Sequence, residues 1–223
     1  MYARIIKILF LIAIAATFAG CISSLKTKNV PRESFKPKYA PRNVVGVPVL
    51  PKELHRVVVL PICWTRDPKS DFVCDLDSIM QLSLQRTNAF EVVPVERDTL
   101  FKLFHEYQFS SVSILPDDLL SVLAQKYAAD AVLFVDLTQN RPYRPIALGL
   151  RAKLVDAKSA KILWAVDALF DSADPAVAGA AVDFSKRGTY TSEHNESTGS
   201  ILLSPRAFAS FVADSMFGTL PAR

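Results

Sequence analysis

Glycine is scarce in this chain, with seven in 223 residues. Phosphate-cradling loops rely on glycine for close backbone approach, and no glycine-rich strand-to-helix fingerprint is present. Neither G-x-S-x-G nor H-E-x-x-H occurs, which removes the nucleophile elbow and the zinc-protease helix. Histidine is limited to His55, His105 and His194, and none has companions at metal-ligand spacing. Apolar runs are short: the longest near the start, Ile8 to Ala16, falls well below the ~20 residues of a membrane-spanning helix. Basic residues exceed acidic ones by only four. They are scattered and form no stripe with stacking aromatics, so nucleic acid is not an expected partner. No catalytic constellation, cofactor site or metal site is visible, and the expectation is a protein that is not an enzyme.

What is present begins at the amino terminus. Arg4 and Lys7 precede the apolar run Ile8 to Ala16, and small residues then lead into Cys21. This is the three-part layout of a secretory signal. The cysteine is either incidental or the point of the signal. Phe18-Ala19-Gly20-Cys21 resembles the lipobox of bacterial lipoproteins, with Phe18 in the place of the commonest leucine. The resemblance implies cleavage between Gly20 and Cys21, alkylation of the Cys21 thiol, and acylation of the new amino terminus by a chain such as palmitate. A thiolate suits that chemistry, and two or more chains hold a protein stably where one holds it marginally. Ile22 follows the cysteine, where an aspartate would mark inner-membrane retention, so the expected location is the outer membrane, facing the periplasm. The membrane is then the first partner, reached through the lipid.

Three parts follow: a signal over 1–20, a lipidated flexible tether over 21–53, and one α/β domain over 54–223. Removing the signal leaves 203 residues and lowers the net charge from +4 to +2. The tether carries Pro31, Pro37, Pro41, Pro48 and Pro51 with little periodicity, a composition that favours extended chain. In the domain, period-2 and period-3.6 patterns predict strands at 56–62, 90–95, 131–137, 146–155 and 161–170. They predict helices at 71–85, 96–109, 117–129, 174–185 and 204–217, and a polar loop over 187–199. The order is β-α-β-α-α-β-β-β-α-α, a mixed sheet of about five strands with helices packed on it, ending in a three-stranded meander.

Several side chains are candidates for chemistry or contact. Cys63 and Cys74 remain once Cys21 is lipidated; in an exported protein they form one disulfide or stay as two buried free thiols. Asp67, Asp71, Asp75 and Asp77 cluster near the carboxyl end of the first predicted strand, where α/β sheets bind ligands. Such carboxylates could do acid–base work or hold a cation, or they complement the start of a helix. That cluster carries the alternative reading, an envelope enzyme or small-ligand binder. Glu96 and Arg97 open the second helix. Trp164 is expected in the core. Trp64, just past the first strand, and Arg141, Tyr143 and Arg144 in the proline-bearing turn are the candidate contact residues for a protein partner, since Tyr and Arg are enriched at interfaces.

One resemblance covers roughly 56–170. It rests on the strand ending Leu60-Pro61, the strand Phe90 to Val95 leading into Glu96-Arg97, and the passage Ala128-Ala129-Asp130-Ala131-Val132-Leu133. Leu150 to Ala157, followed by Ala160-Lys161-Ile162-Leu163-Trp164, completes it. Together these resemble the periplasmic domain shared by the curli-secretion channel lipoprotein and the lipoprotein activator of penicillin-binding proteins. Ala129 and Ala160 stand where that family usually has glycine. The resemblance implies this fold and a lipid-anchored envelope protein. The channel member builds its pore from long amphipathic hairpins, and the link Thr138 to Pro145 is too short for membrane strands of ~9–11 residues. A secretion-channel subunit is therefore not expected. The activator-type reading is a noncatalytic binding or assembly module whose partner is an envelope protein or further copies of itself.

Overall fold

The structure is a computed structural model, and it describes residues 39–67, 70–187 and 200–223. Gly20, Cys21, the signal, the first part of the tether and residues 188–199 of the loop expected over 187–199 lie outside the described residues. In chain order the elements are β1 (Val44–Gly46), β2 (Arg56–Val59), α1 (Asp71–Arg86), β3 (Glu91–Pro94), α2 (Arg97–Phe104), α3 (Leu119–Tyr127), β4 (Ala131–Arg141), β5 (Ala147–Asp156) and β6 (Ile162–Asp171). They are followed by α4 (Pro175–Lys186), a 3-10 turn at Ser200–Leu202, and α5 (Pro205–Phe217).

The strands form one mixed sheet in the order β1-β6-β5-β4-β2-β3. β2 pairs parallel with β3 and β4; β4, β5, β6 and β1 pair antiparallel in succession. The expected α/β class and closing meander are observed. Residues Val57, Val58 and Val59 are buried on both faces, as a central parallel strand requires. The other face of each strand then sorts the helices. Val57, Val59, Leu133, Val135, Leu150, Leu154, Trp164 and Phe170 pack with α1, α4 and α5 in the larger core. Val58, Leu60, Val132 and Phe134 pack with Leu100 of α2 and Leu119 and Leu123 of α3 in the smaller one. Trp164 is fully buried and donates from Nε1 to Thr219 Oγ1 at 3.1 Å.

The sheet has six strands, one more than expected. The sixth is β1, within the stretch read as tether over 21–53. Its residues pair with Val166, Ala165 and Trp164, Leu50 is buried, and the ring of Tyr39 meets Phe170 at 5.6 Å. The domain therefore starts before residue 54. Prolines at 41 and 48 lend this stretch the composition of a linker, but between them Val44, Val45 and Val47 have the β-branched character of a strand. The second helix stops at Phe104 because His105 takes a left-handed conformation, φ 58°, which closes a helix C-terminus. β4 runs on through Thr138 to Arg141, where a loop was expected.

Ala160, in the β5–β6 turn, has φ 55°, a conformation that suits glycine. Ala160→Gly is expected to raise the unfolding free energy by roughly 0.5 kcal/mol, the left-handed strain relieved less the added chain entropy, measurable by urea titration. Asp214 of α5 is a second lever. Burial pushes its carboxyl up to about 6, against the pull of Arg187 and Arg86. A folded-state value above the unfolded one contributes stability that is present at low pH and is lost as pH rises through 6. Asp214→Asn should therefore raise the melting temperature at pH 8 and change it little at pH 4.

Candidate functional site

The sheet's two faces are unequally covered. α2 and α3 lie over β2, β3 and β4 on the smaller-core side. On that side of β5, β6 and β1, the outward residues are Ala147, Gly149, Arg151 and Lys153, then Ala165, Asp167, Leu169 and Asp171, then Val45, by the alternation of the strands. Among the described residues no helix lies over them. Val45 is 68% exposed and Leu169 49%.

Cross-strand charge pairs frame this open half-face. Arg151 of β5 meets Asp167 of β6 at 2.7 Å. Arg141 of β4 reaches over Ala147 to Asp171 of β6, its Nη2 donating to both carboxylate oxygens at 2.7 and 2.8 Å, and Ala147 beneath it is wholly buried. Hydrogen bonding to the Ala173 amide and to Arg141 lowers the Asp171 carboxyl. Gly149 sits opposite the irregularity between Leu137 and Gln139. A Cβ there would lie 2.5 Å from Thr138 Oγ1, so only glycine lets the bulge close. The inner wall of the half-face is the loop after α2. Its Ser111 amide donates to both oxygens of buried Asp136 at 3.1 Å, and Lys153 Nζ donates to the Ser111 carbonyl at 2.7 Å.

The aspartates expected to cluster do not converge. Asp75 pairs with Arg206 of α5 at 3.4 Å. Asp77 turns inward: it accepts from the Ile62 amide at 2.7 Å and from Arg97 Nη2 at 2.7 Å, while Arg97 also donates to the Ile62 carbonyl at 3.1 Å. Burial raises the Asp77 carboxyl, with the Ile62 amide and Arg97 opposing. Asp67 is exposed, its carbonyl accepting from Ser70, and Asp71 is exposed in the first turn of α1. Among the described residues, no three His, Cys, Asp or Glu side chains are placed to hold a metal ion.

The disulfide reading is corrected: Cys63 and Cys74 are both free. Cys63 is buried where the chain beyond β2 bridges to Asp136, and burial, with Asp136 adding to it, pushes its thiol up to about 11. Cys74 is exposed because α1 buries Val73, Leu76, Ile79 and Met80, leaving Cys74 on the opposite side. Trp64 is half-buried against the larger core, its backbone held at both ends by the Gln108 side chain and its ring stacked by Arg66 at 5.5 Å. It is packing with an accessible edge. Of the expected contact triad, Arg141 is spent within the chain, whereas Tyr143, 81% exposed, and Arg144 face solvent. The alternation of Arg151 and Lys153 with apolar neighbours signals the open face in the sequence; that Asp136, Asp167 and Asp171 join it depends on strand register.

No protein-family model matches the chain, and no curated protein matches it. Solved structures that overlap it include a PelC dodecamer from Paraburkholderia phytofirmans, 15% identical with a TM-score of 0.40, covering 62% of this chain and 86% of that one. A lipoprotein, GNA1162, from Neisseria meningitidis is 18% identical with a TM-score of 0.42, covering 60% of this chain and 95% of that one. Overlaps this loose carry nothing of those proteins' assembly or chemistry to this chain.

Asp77→Ala should cost about 3 kcal/mol in unfolding free energy, because it strands Arg97 and the Ile62 amide in a largely dry site. A urea titration checks it; a loss near zero would mean that Asp77 is not a structural residue.

Proposed function

We propose that this chain is a lipid-anchored lipoprotein of the bacterial envelope, held through Cys21 at the outer membrane and facing the periplasm, and that it works as a noncatalytic binding or assembly module of the kind that activates envelope enzymes. The resemblance to the curli-channel and penicillin-binding-protein-activator domain supports the family part of this reading. The observation that carries the binding part is the open half-face. It sets two exposed apolar side chains, Val45 and Leu169, within a frame of charges already paired across strands. Paired charges lose less on desolvation than lone ones, so a partner can cover this surface without leaving ions unsatisfied. The partner is an envelope protein or another copy of this chain.

Two measurements test it. Intact mass of the membrane-extracted protein should show cleavage before Cys21 and added acyl mass, lost in Cys21→Ser; an unmodified Cys21 contradicts the anchor. Val45→Asp with Leu169→Asp should abolish co-purification with the partner after crosslinking in cells, with no change in melting temperature. Unchanged co-purification contradicts the docking face.

A further inference from the structure

We infer that the tip of the β4–β5 hairpin, Pro142 to Pro145, rests in the phospholipid headgroup layer of the membrane that carries the lipid anchor. This inference rests on the lipoprotein reading above, and it names a second surface, separate from the open half-face.

Strand direction supplies the geometry. β1 runs antiparallel to β6, so the described residues just before β1 lie at the end of the sheet where β6 finishes. Tyr39 marks the place, its ring against Phe170. Phe170 pairs with Leu148 and Leu148 with Asn140, which is the level of the hairpin tip. Tyr39, the first described residue, and the hairpin therefore share one end of the domain. Arg141, Ala147 and Asp171 lie level across β4, β5 and β6, and only the tip passes them. From the Cys63–Asp136 bridge, where the segment beyond β2 last pairs, β4 continues five residues to Arg141, about 16 Å at ~3.3 Å per residue.

The chemistry of the tip fits a headgroup layer. Tyr143 is 81% exposed, and Pro142, Arg144 and Pro145 are exposed beside it. Tyrosine has an apolar body and a wet tip, and arginine keeps its charge in water while its stem lies on apolar surface; both concentrate at membrane interfaces. The tip is held in shape. Arg141 grips Asp171 with one end of its guanidinium and the Pro145 carbonyl with Nε, so little conformational freedom is lost on contact. Only Ile22 to Lys38 separate the lipidated cysteine from Tyr39. Seventeen residues span at most about 60 Å. That stretch holds Lys26, Lys28, Arg32, Lys36 and Lys38 against Glu33, a balance drawn toward anionic lipid. Tethering makes the contact intramolecular in effect, so one weak aromatic anchor suffices.

The test uses the full lipidated chain in phosphatidylethanolamine–phosphatidylglycerol vesicles with bromine in the upper acyl chains. Tyr143→Trp should add emission that the bromines quench strongly. Leu82→Trp, on the exposed side of α1 and remote from the tip, should add emission that they leave alone. In the unsubstituted chain, amide exchange over 141–146 should slow on vesicles relative to detergent. Flotation with the vesicles but equal quenching of both variants and unchanged exchange overturns the hairpin contact and leaves the anchor standing. Failure to float overturns both.

Discussion

Parallel strands need crossovers, and antiparallel strands need only hairpins. That constraint organises this molecule. β2, β3 and β4 are parallel neighbours, and the crossovers between them bring α1 to one face and α2 and α3 to the other. β4, β5 and β6 follow one another through tight turns that bring no helix with them. α4 and α5 then return to the face that α1 already covers. The open half-face is thus a consequence of connectivity. Its charge pairs and its one obligatory glycine are what that consequence demands of the sequence: a strand that keeps one face wet carries Arg151, Lys153 and Asp167 on that face and Leu150, Ala152 and Val166 on the other.

The same constraint explains the acidic residues that look chemical in the sequence. Helices that follow parallel strands all begin at the strands' carboxyl end, and acids gather there to meet the positive pole of each helix. Asp71 and Asp98 sit in first turns, with Arg86 and Lys102 in the matching last turns. Asp75 and Asp77 have ion-pair partners within the fold, Arg206 and Arg97. Carboxylates bound up in this way hold elements together and are poorly placed to hold a substrate. Arg97 and Asp77 clamp the Ile62 peptide at both its N–H and its carbonyl, and the segment beyond β2 is steered from there to Cys63 and the bridge to Asp136.

Periodicity made most of the fold legible: every long element stands within a few residues of where alternation or helical spacing puts it. The exceptions have physical causes. β1 is three residues long between prolines, too short for a pattern to rise above the composition around it, and it is a strand because β6 offers an edge. The end of α2 depends on the backbone of His105, which no residue-type preference announces. The candidate contact residues divided on long-range geometry: Arg141 points back to Asp171, thirty residues on, whereas Tyr143, two residues later, has no such partner among the described residues. Cys63 and Cys74 lie eleven residues apart in sequence, and the first is buried at the sheet while the second faces outward from a helix.

The proposal at stake is that a lipid-anchored, noncatalytic domain meets its partner with the half of the sheet that the described helices leave uncovered. It is tested most directly by placing a photo-crosslinking side chain at position 169 in intact cells, with position 82 on α1 as the control. A discrete adduct from position 169 that is missing from position 82 is the predicted result. No adduct from position 169, or the same adducts from both positions, would contradict it.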